Sequence, residues 1–156
     1  ARSRYHVAGL DLRVEMARLC GLRALGGPDG PLARRPPRLA VRRASRRPRS
    51  RLGFAVPEEH RLSVTAYPGI RRGDAEETLL HELVHIAVGP SAAGRRWHGR
   101  EFRTTLARAM REAYGVSVRT SNCYHGTYAD ALERRREAEA ERSARGVHPG
   151  QLELAA

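Results

Sequence analysis

One five-residue run constrains this chain more than any other: His81-Glu82-Leu83-Val84-His85, set inside an apolar stretch. Leu79, Leu80, Leu83, Val84, Ile86 and Ala87 cover most of a helix circumference around it. A helix apolar on nearly every side must be buried, so the rest of the chain has to wrap around it. Burying two imidazoles and a carboxylate there is costly unless they are paired or hold a metal ion. Two histidines four apart on a helix share one face, with Cβ atoms about 5–6 Å apart. That spacing lets two imidazole nitrogens converge on one zinc ion at about 2.0–2.1 Å. Glu82 sits one residue further round, within reach of a water at the metal without ligating it.

Two ligands do not make a site, and His98 offers a third. Three protein ligands leave a fourth position open, which separates a catalytic zinc from a structural one. The residues therefore predict a zinc-dependent peptidase. A metzincin would need glycine at position 88 and histidine at 91, where this chain has Val88 and Ser91. A gluzincin would take a downstream glutamate, for which Glu101 and Glu112 are available.

The elements around the motif follow from local signals. Asp74 with Glu77 reads as a capping box, the helix runs from about Ala75 to Val88, and Gly89-Pro90 stops it. A second helix from about Arg100 to Tyr114 puts Phe102, Leu106, Ala109, Met110 and Ala113 on one stripe and ends at Gly115. Before the motif, Leu39 and Val41, then Leu52, Phe54 and Val56, then Leu62, Val64 and Ala66 alternate with their neighbours. Period-two patterning in three short runs predicts a small antiparallel three-stranded meander packed on the motif helix. Residues 10–25 predict an amphipathic helix ended by Gly26-Gly27-Pro28. Asp130–Arg145 reads as a polar helix or tail facing solvent. The expected class is α+β.

The full pattern, His-Glu-x-x-His, twelve residues, then His-Gly-x-x-Phe, resembles the SprT-like family of SprT- and Spartan-type zinc metalloproteases and their short bacterial relatives. The likeness covers roughly residues 38–115, from the strands through Thr78-Leu79-Leu80 to the helix after His98. It implies a minimal zincin-like metallopeptidase domain. It also implies that His81, His85 and His98 ligate zinc, that Glu82 is the catalytic base, and that Gly99 and Phe102 are packing positions. The expected layout is an N-terminal helix and basic linker over residues 1–37, a metallopeptidase core over 38–128 and a polar tail over 129–156. For the oxyanion, Tyr124, His125 and Tyr67 are candidates; Trp97 reads as an anchor for the turn, and Cys123 with His125 as a weak second metal pair.

The formal net charge of +12 is unevenly spread. Residues 1–51 hold 14 Arg against Asp11, Glu15 and Asp29, whereas residues 52–156 hold 15 Arg against 14 acids. Nine of the first set lie between Arg34 and Arg51, which makes that segment the candidate nucleic-acid contact. The chain has no lysine, so part of its arginine content reflects compositional bias, and many of these side chains are expected on the solvent face of strands or at a hairpin tip. A protein or peptide substrate is the other expected partner. Cys20 and Cys123 are too few for a disulfide scaffold or a zinc ribbon, which favours a cytoplasmic location, and no apolar run is long enough for a membrane helix. The competing reading is a non-catalytic, zinc-stabilised nucleic-acid-binding protein.

Overall fold

The computed structural model describes residues 3–89, 98–119 and 126–146. Two short strands, β1 (His6–Val7) and β2 (Leu10–Asp11), pair antiparallel at the start. The Asp11 carboxylate accepts the N–H groups of Arg13 and Val14 and so opens α1, Leu12–Cys20. This helix is shorter than the predicted span. Gly21 closes it, and a separate 3-10 turn, Arg23–Leu25, follows, with the Arg23 and Ala24 N–H groups donating to the Glu112 carboxylate at 2.7 and 3.0 Å. A single turn, α2 (Pro31–Arg34), leads into the main sheet.

That sheet consists of β3 (Arg38–Arg43), β4 (Gly53–Val56) and β5 (Arg61–Ala66) in the order β3-β5-β4. β5 lies parallel to β3 and antiparallel to β4, which corrects the expected all-antiparallel meander. Alternation fixes which face a residue takes but not which strand lies beside it. The central place goes to the run that can be buried on both sides. Leu62, Ser63, Val64 and Ala66 of β5 are all buried, while no residue of β3 or β4 is. Residues 44–52 consequently do not close a hairpin. They cross from one sheet edge to the other, held by Ala44 N–H to the Ala66 carbonyl and Thr65 N–H to the Leu52 carbonyl.

The motif helix, α3, spans Arg72–Val88. It begins three residues earlier than predicted, so Asp74 falls in its first turn and binds back to Arg71: the Arg71 N–H donates to Asp74 Oδ2 at 2.9 Å and the guanidinium to both oxygens at 3.0 Å. Burial alone would raise the Asp74 carboxyl, but these bonds hold it below the usual carboxylate range. Glu77 is not the partner of a capping box. Its carboxylate accepts the N–H groups of Gly126, Tyr128 and Ala129 at 2.6, 2.7 and 3.0 Å, at the start of α5, Thr127–Ala144. An acceptor there satisfies backbone donors that the helix itself leaves open. α4 spans Arg100–Tyr114 and ends on Gly115 at φ 67°, as predicted.

The C-terminal helix is polar, as expected, yet its first half is docked. Tyr128, Ala129 and Leu132 are buried, Arg136 pairs with buried Glu76 at 2.7 Å, Asp130 with Arg71 at 2.9 Å, and Glu133 accepts the Gly73 N–H at 2.7 Å. One apolar cluster joins Val7, Leu12 and Leu19 to Leu79, Leu83, Phe102 and Met110. Full burial of each such side chain contributes about 1.5–3 kcal/mol, so the N-terminal elements stabilise the same core that holds the motif helix. Among the described residues no helix is long and apolar enough to cross a membrane.

Candidate metal centre

α3 brings His81 and His85 to one face one turn apart, both buried. His98 arrives from the turn before α4 and is the exposed member. Its Nε2 lies 3.2 Å from His81 Nε2 and 3.0 Å from His85 Nε2. The three nitrogens converge from two elements, an arrangement that could hold a metal ion. Although His98 is exposed overall, partial desolvation lowers its pKa and so favours the neutral imidazole that coordination requires.

Phe102, on the first turn of α4, is fully buried beneath the three rings. Its centroid lies 4.9 Å from that of His81, 4.4 Å from His85 and 5.0 Å from His98. The Phe position of the sequence pattern is thus a floor on which all three imidazoles rest. It fixes their orientation by contact and excludes water from the inner side of the cluster.

Glu82 is 4% exposed, with Oε1 4.0 Å from His81 Nε2. Burial pushes its carboxyl up to about 8, against the pull of the Arg51 charge. Without a metal, burial thus favours the protonated carboxyl, and a cation held at the neighbouring histidines would favour the ionised form that a base requires. Arg51 carried no distinguishing signal in the sequence, being one of nine arginines in its segment.

Gly53 is the site residue that the sequence pattern concealed. It interrupts the Leu52-Phe54-Val56 alternation, and a glycine inside a strand often marks a close approach. The large residues of β4 face away from α3, while Gly53 and Ala55 face toward it. A Cβ at position 53 would stand 2.6 Å from the Ser63 carbonyl oxygen, 2.8 Å from Thr78 Cγ2 and 3.2 Å from Glu82 Cγ. The absent side chain therefore lets β4 lie directly against the Glu82 methylene chain. Gly53→Ala is expected to destabilise the fold by about 1–3 kcal/mol, through the shift needed to clear the backbone oxygen. Urea denaturation measures this, and an alanine variant as stable as the parent would show that the strand does not press on the helix.

The other candidates fall elsewhere. Glu112, the alternative ligand, is engaged by the Arg23 and Ala24 backbone, and Glu101 is exposed on α4 outside the donor cluster. Tyr67 is buried, and its charged neighbours are Asp74, Arg71 and Glu77 at the start of α3 and Arg47 of the segment before β4, none of them at the histidines. Trp97, Cys123, Tyr124 and His125 lie outside the described residues.

The comparisons with known proteins agree with this geometry. No curated protein and no solved structure matches the chain. The SprT-like family model matches residues 33–122, more than half of the chain, and the match takes in the sheet, α3, the three histidines and α4. The chain belongs to the SprT-like family.

Proposed function

We propose that the protein is a zinc-dependent peptidase that hydrolyses peptide bonds with Glu82 as general base and His81, His85 and His98 as metal ligands. The observation that carries this reading is the convergence of three Nε2 atoms beside a buried carboxylate. Three nitrogens bonded to zinc at 2.0–2.1 Å in a tetrahedral arrangement stand about 3.3 Å apart. The observed separations of 3.0 and 3.2 Å are near that value, and an all-imidazole donor set suits zinc well. The residues fit the ion. Bound there, zinc supplies a Lewis acid that polarises the scissile carbonyl and lowers the pKa of water toward about 7.

The chain's own groups divide the remaining work. Glu82 takes the proton of the attacking water and returns it to the leaving amine as the carbon–nitrogen bond breaks. Phe102 holds the imidazoles in place and keeps the inner side dry. β4 is an edge strand that touches Glu82 through Gly53, so an extended peptide added along that edge would lie next to the base. A structural zinc would instead call for a fourth protein ligand, and the described donor group holds three.

The test is metal content together with cleavage of an unfolded protein substrate. The purified chain is expected to hold one zinc per molecule and to cleave, to lose cleavage on treatment with a chelator, and to regain it with added zinc. Zinc retention also raises the melting temperature, since a ligand that binds only the folded state stabilises it by mass action. A chain that takes up no zinc, or one whose cleavage survives chelation, refutes the reading.

A further inference from the structure

We propose that Arg51 determines specificity at the metal centre: its guanidinium takes a substrate carboxylate about two residues from the scissile bond. The inference rests on the peptidase reading above and adds to it the class of peptide that the site selects. Gly53 fixes the place of Arg51. A Cβ at Gly53 would stand 3.2 Å from Glu82 Cγ, so this point of β4 lies beside the base. The ladder with β5 pairs Gly53 with Val64 and continues backward, because the Leu52 carbonyl accepts the Thr65 N–H. Residues of an extended strand alternate in side, so Arg51 stands on the side of Gly53, about 7 Å along the strand. Electrostatics agrees with that placement. Burial raises the Glu82 carboxyl, and the Arg51 charge counters it.

The guanidinium is available. Arg51 is exposed, although Leu52 beside it is buried. Among the described residues it forms no ion pair or hydrogen bond, whereas Arg61, Arg71 and Arg136 each hold a carboxylate. It is near enough to Glu82 to act through space but does not bond to it. Its donors remain open to a group that arrives along the strand edge.

Charge along β4 is also polarised. Arg51 precedes the strand, and Glu58 and Glu59 follow it, both exposed. An extended peptide added along this edge meets a cation at one end and acids at the other. The anion that a peptide carries is a carboxylate, which the guanidinium fork matches with two parallel bonds. An Asp or Glu side chain and a free chain terminus both present that group.

Fluorogenic peptides and the full zinc-loaded chain test the contact. One series, with amidated C-termini, carries Asp, Asn or Lys two residues to either side of the cleaved bond. A second series ends two residues beyond that bond, with a free or an amidated C-terminus. The carboxylate peptide of one series is expected to show a kcat/KM about 5- to 10-fold above its neutral counterpart, as for a charge-assisted pair at a partly exposed site. A preference in the first series identifies the side chain as the source, and one in the second identifies the terminus. Arg51→Gln is expected to abolish the preference, and Arg51→Glu to reverse it toward Lys or the amide. Binding of the same peptides to the Glu82→Gln protein, followed by anisotropy, reads the contact without cleavage. If that binding shows an Arg51-dependent carboxylate preference while the parent cleaves nothing, the peptidase reading fails and the contact stands. Equal loss of kcat in Arg51→Gln for charged and neutral peptides would assign Arg51 to Glu82 alone and overturn the proposal. So would a parent without carboxylate preference in either series, or a preference that survives Arg51→Gln.

Discussion

Glu82→Gln is expected to lower peptide cleavage by about 10²–10⁴-fold, the usual contribution of a positioned general base, while zinc content stays at one per chain. Glutamine has the shape of the glutamate it replaces, so the close approach of Gly53 to the side chain is kept. The amide is neutral, and burial already pushes the native carboxyl up to about 8, so the site accepts an uncharged group without strain. The melting temperature of the variant is therefore expected to equal or exceed that of the parent. This separates loss of chemistry from loss of fold. Cleavage at parental rate in the variant would remove Glu82 as the base. Lost zinc in the variant would instead make Glu82 a determinant of the metal site.

The parts of this fold that could be read from the chain are those set by neighbours in sequence. α4 runs over the predicted residues because its apolar stripe and Gly115 are local signals. The three histidines and Phe102 meet because helix periodicity fixes two of them and a turn before α4 presents the third. The sheet order could not be read this way. Leu39, Leu62 and Phe54 alternate alike, and only the competition for the central position decides that β5 lies between the other two. The same limit applies to α5. Its polar composition suits a solvated helix, but Glu76 and Glu77 sit on α3 some fifty residues away and bind its side chains and first N–H groups. Those partners are buried acids of the motif helix, where an apolar pattern gave no reason to expect them to hold another helix. The arginine segment Arg34–Arg51 likewise divides in space. Arg42 turns to the Phe54 ring, Arg43 donates to the Arg4 and His6 carbonyls, and the Arg51 charge acts on Glu82. Charge density along the sequence predicted one surface; strand alternation separates Arg42 from Arg43, and the segment crossing to β4 carries Arg51 to Glu82.

Phe102→Ala is expected to cost about 3–5 kcal/mol of stability, the range for deleting a fully buried aromatic ring. A domain of this size has only about 5–15 kcal/mol in total, so the loss is a large fraction of it. The deletion also acts on the metal. The ring lies within 5.0 Å, centroid to centroid, of all three imidazoles, and without it the cavity leaves them free to change rotamer. Loss of comparable support behind metal ligands lowers affinity by about 10–100-fold. Phe102→Leu separates the two effects, because it fills much of the volume and keeps the chain folded while removing the flat floor. Zinc affinity, measured by competition with a chromophoric chelator, is expected to fall in the leucine variant by more than its urea midpoint predicts. If zinc affinity stays at the parental value while stability falls, Phe102 is a core residue with no part in holding the ligands, and the orientation of the imidazoles must come from α3 and the turn at His98 alone.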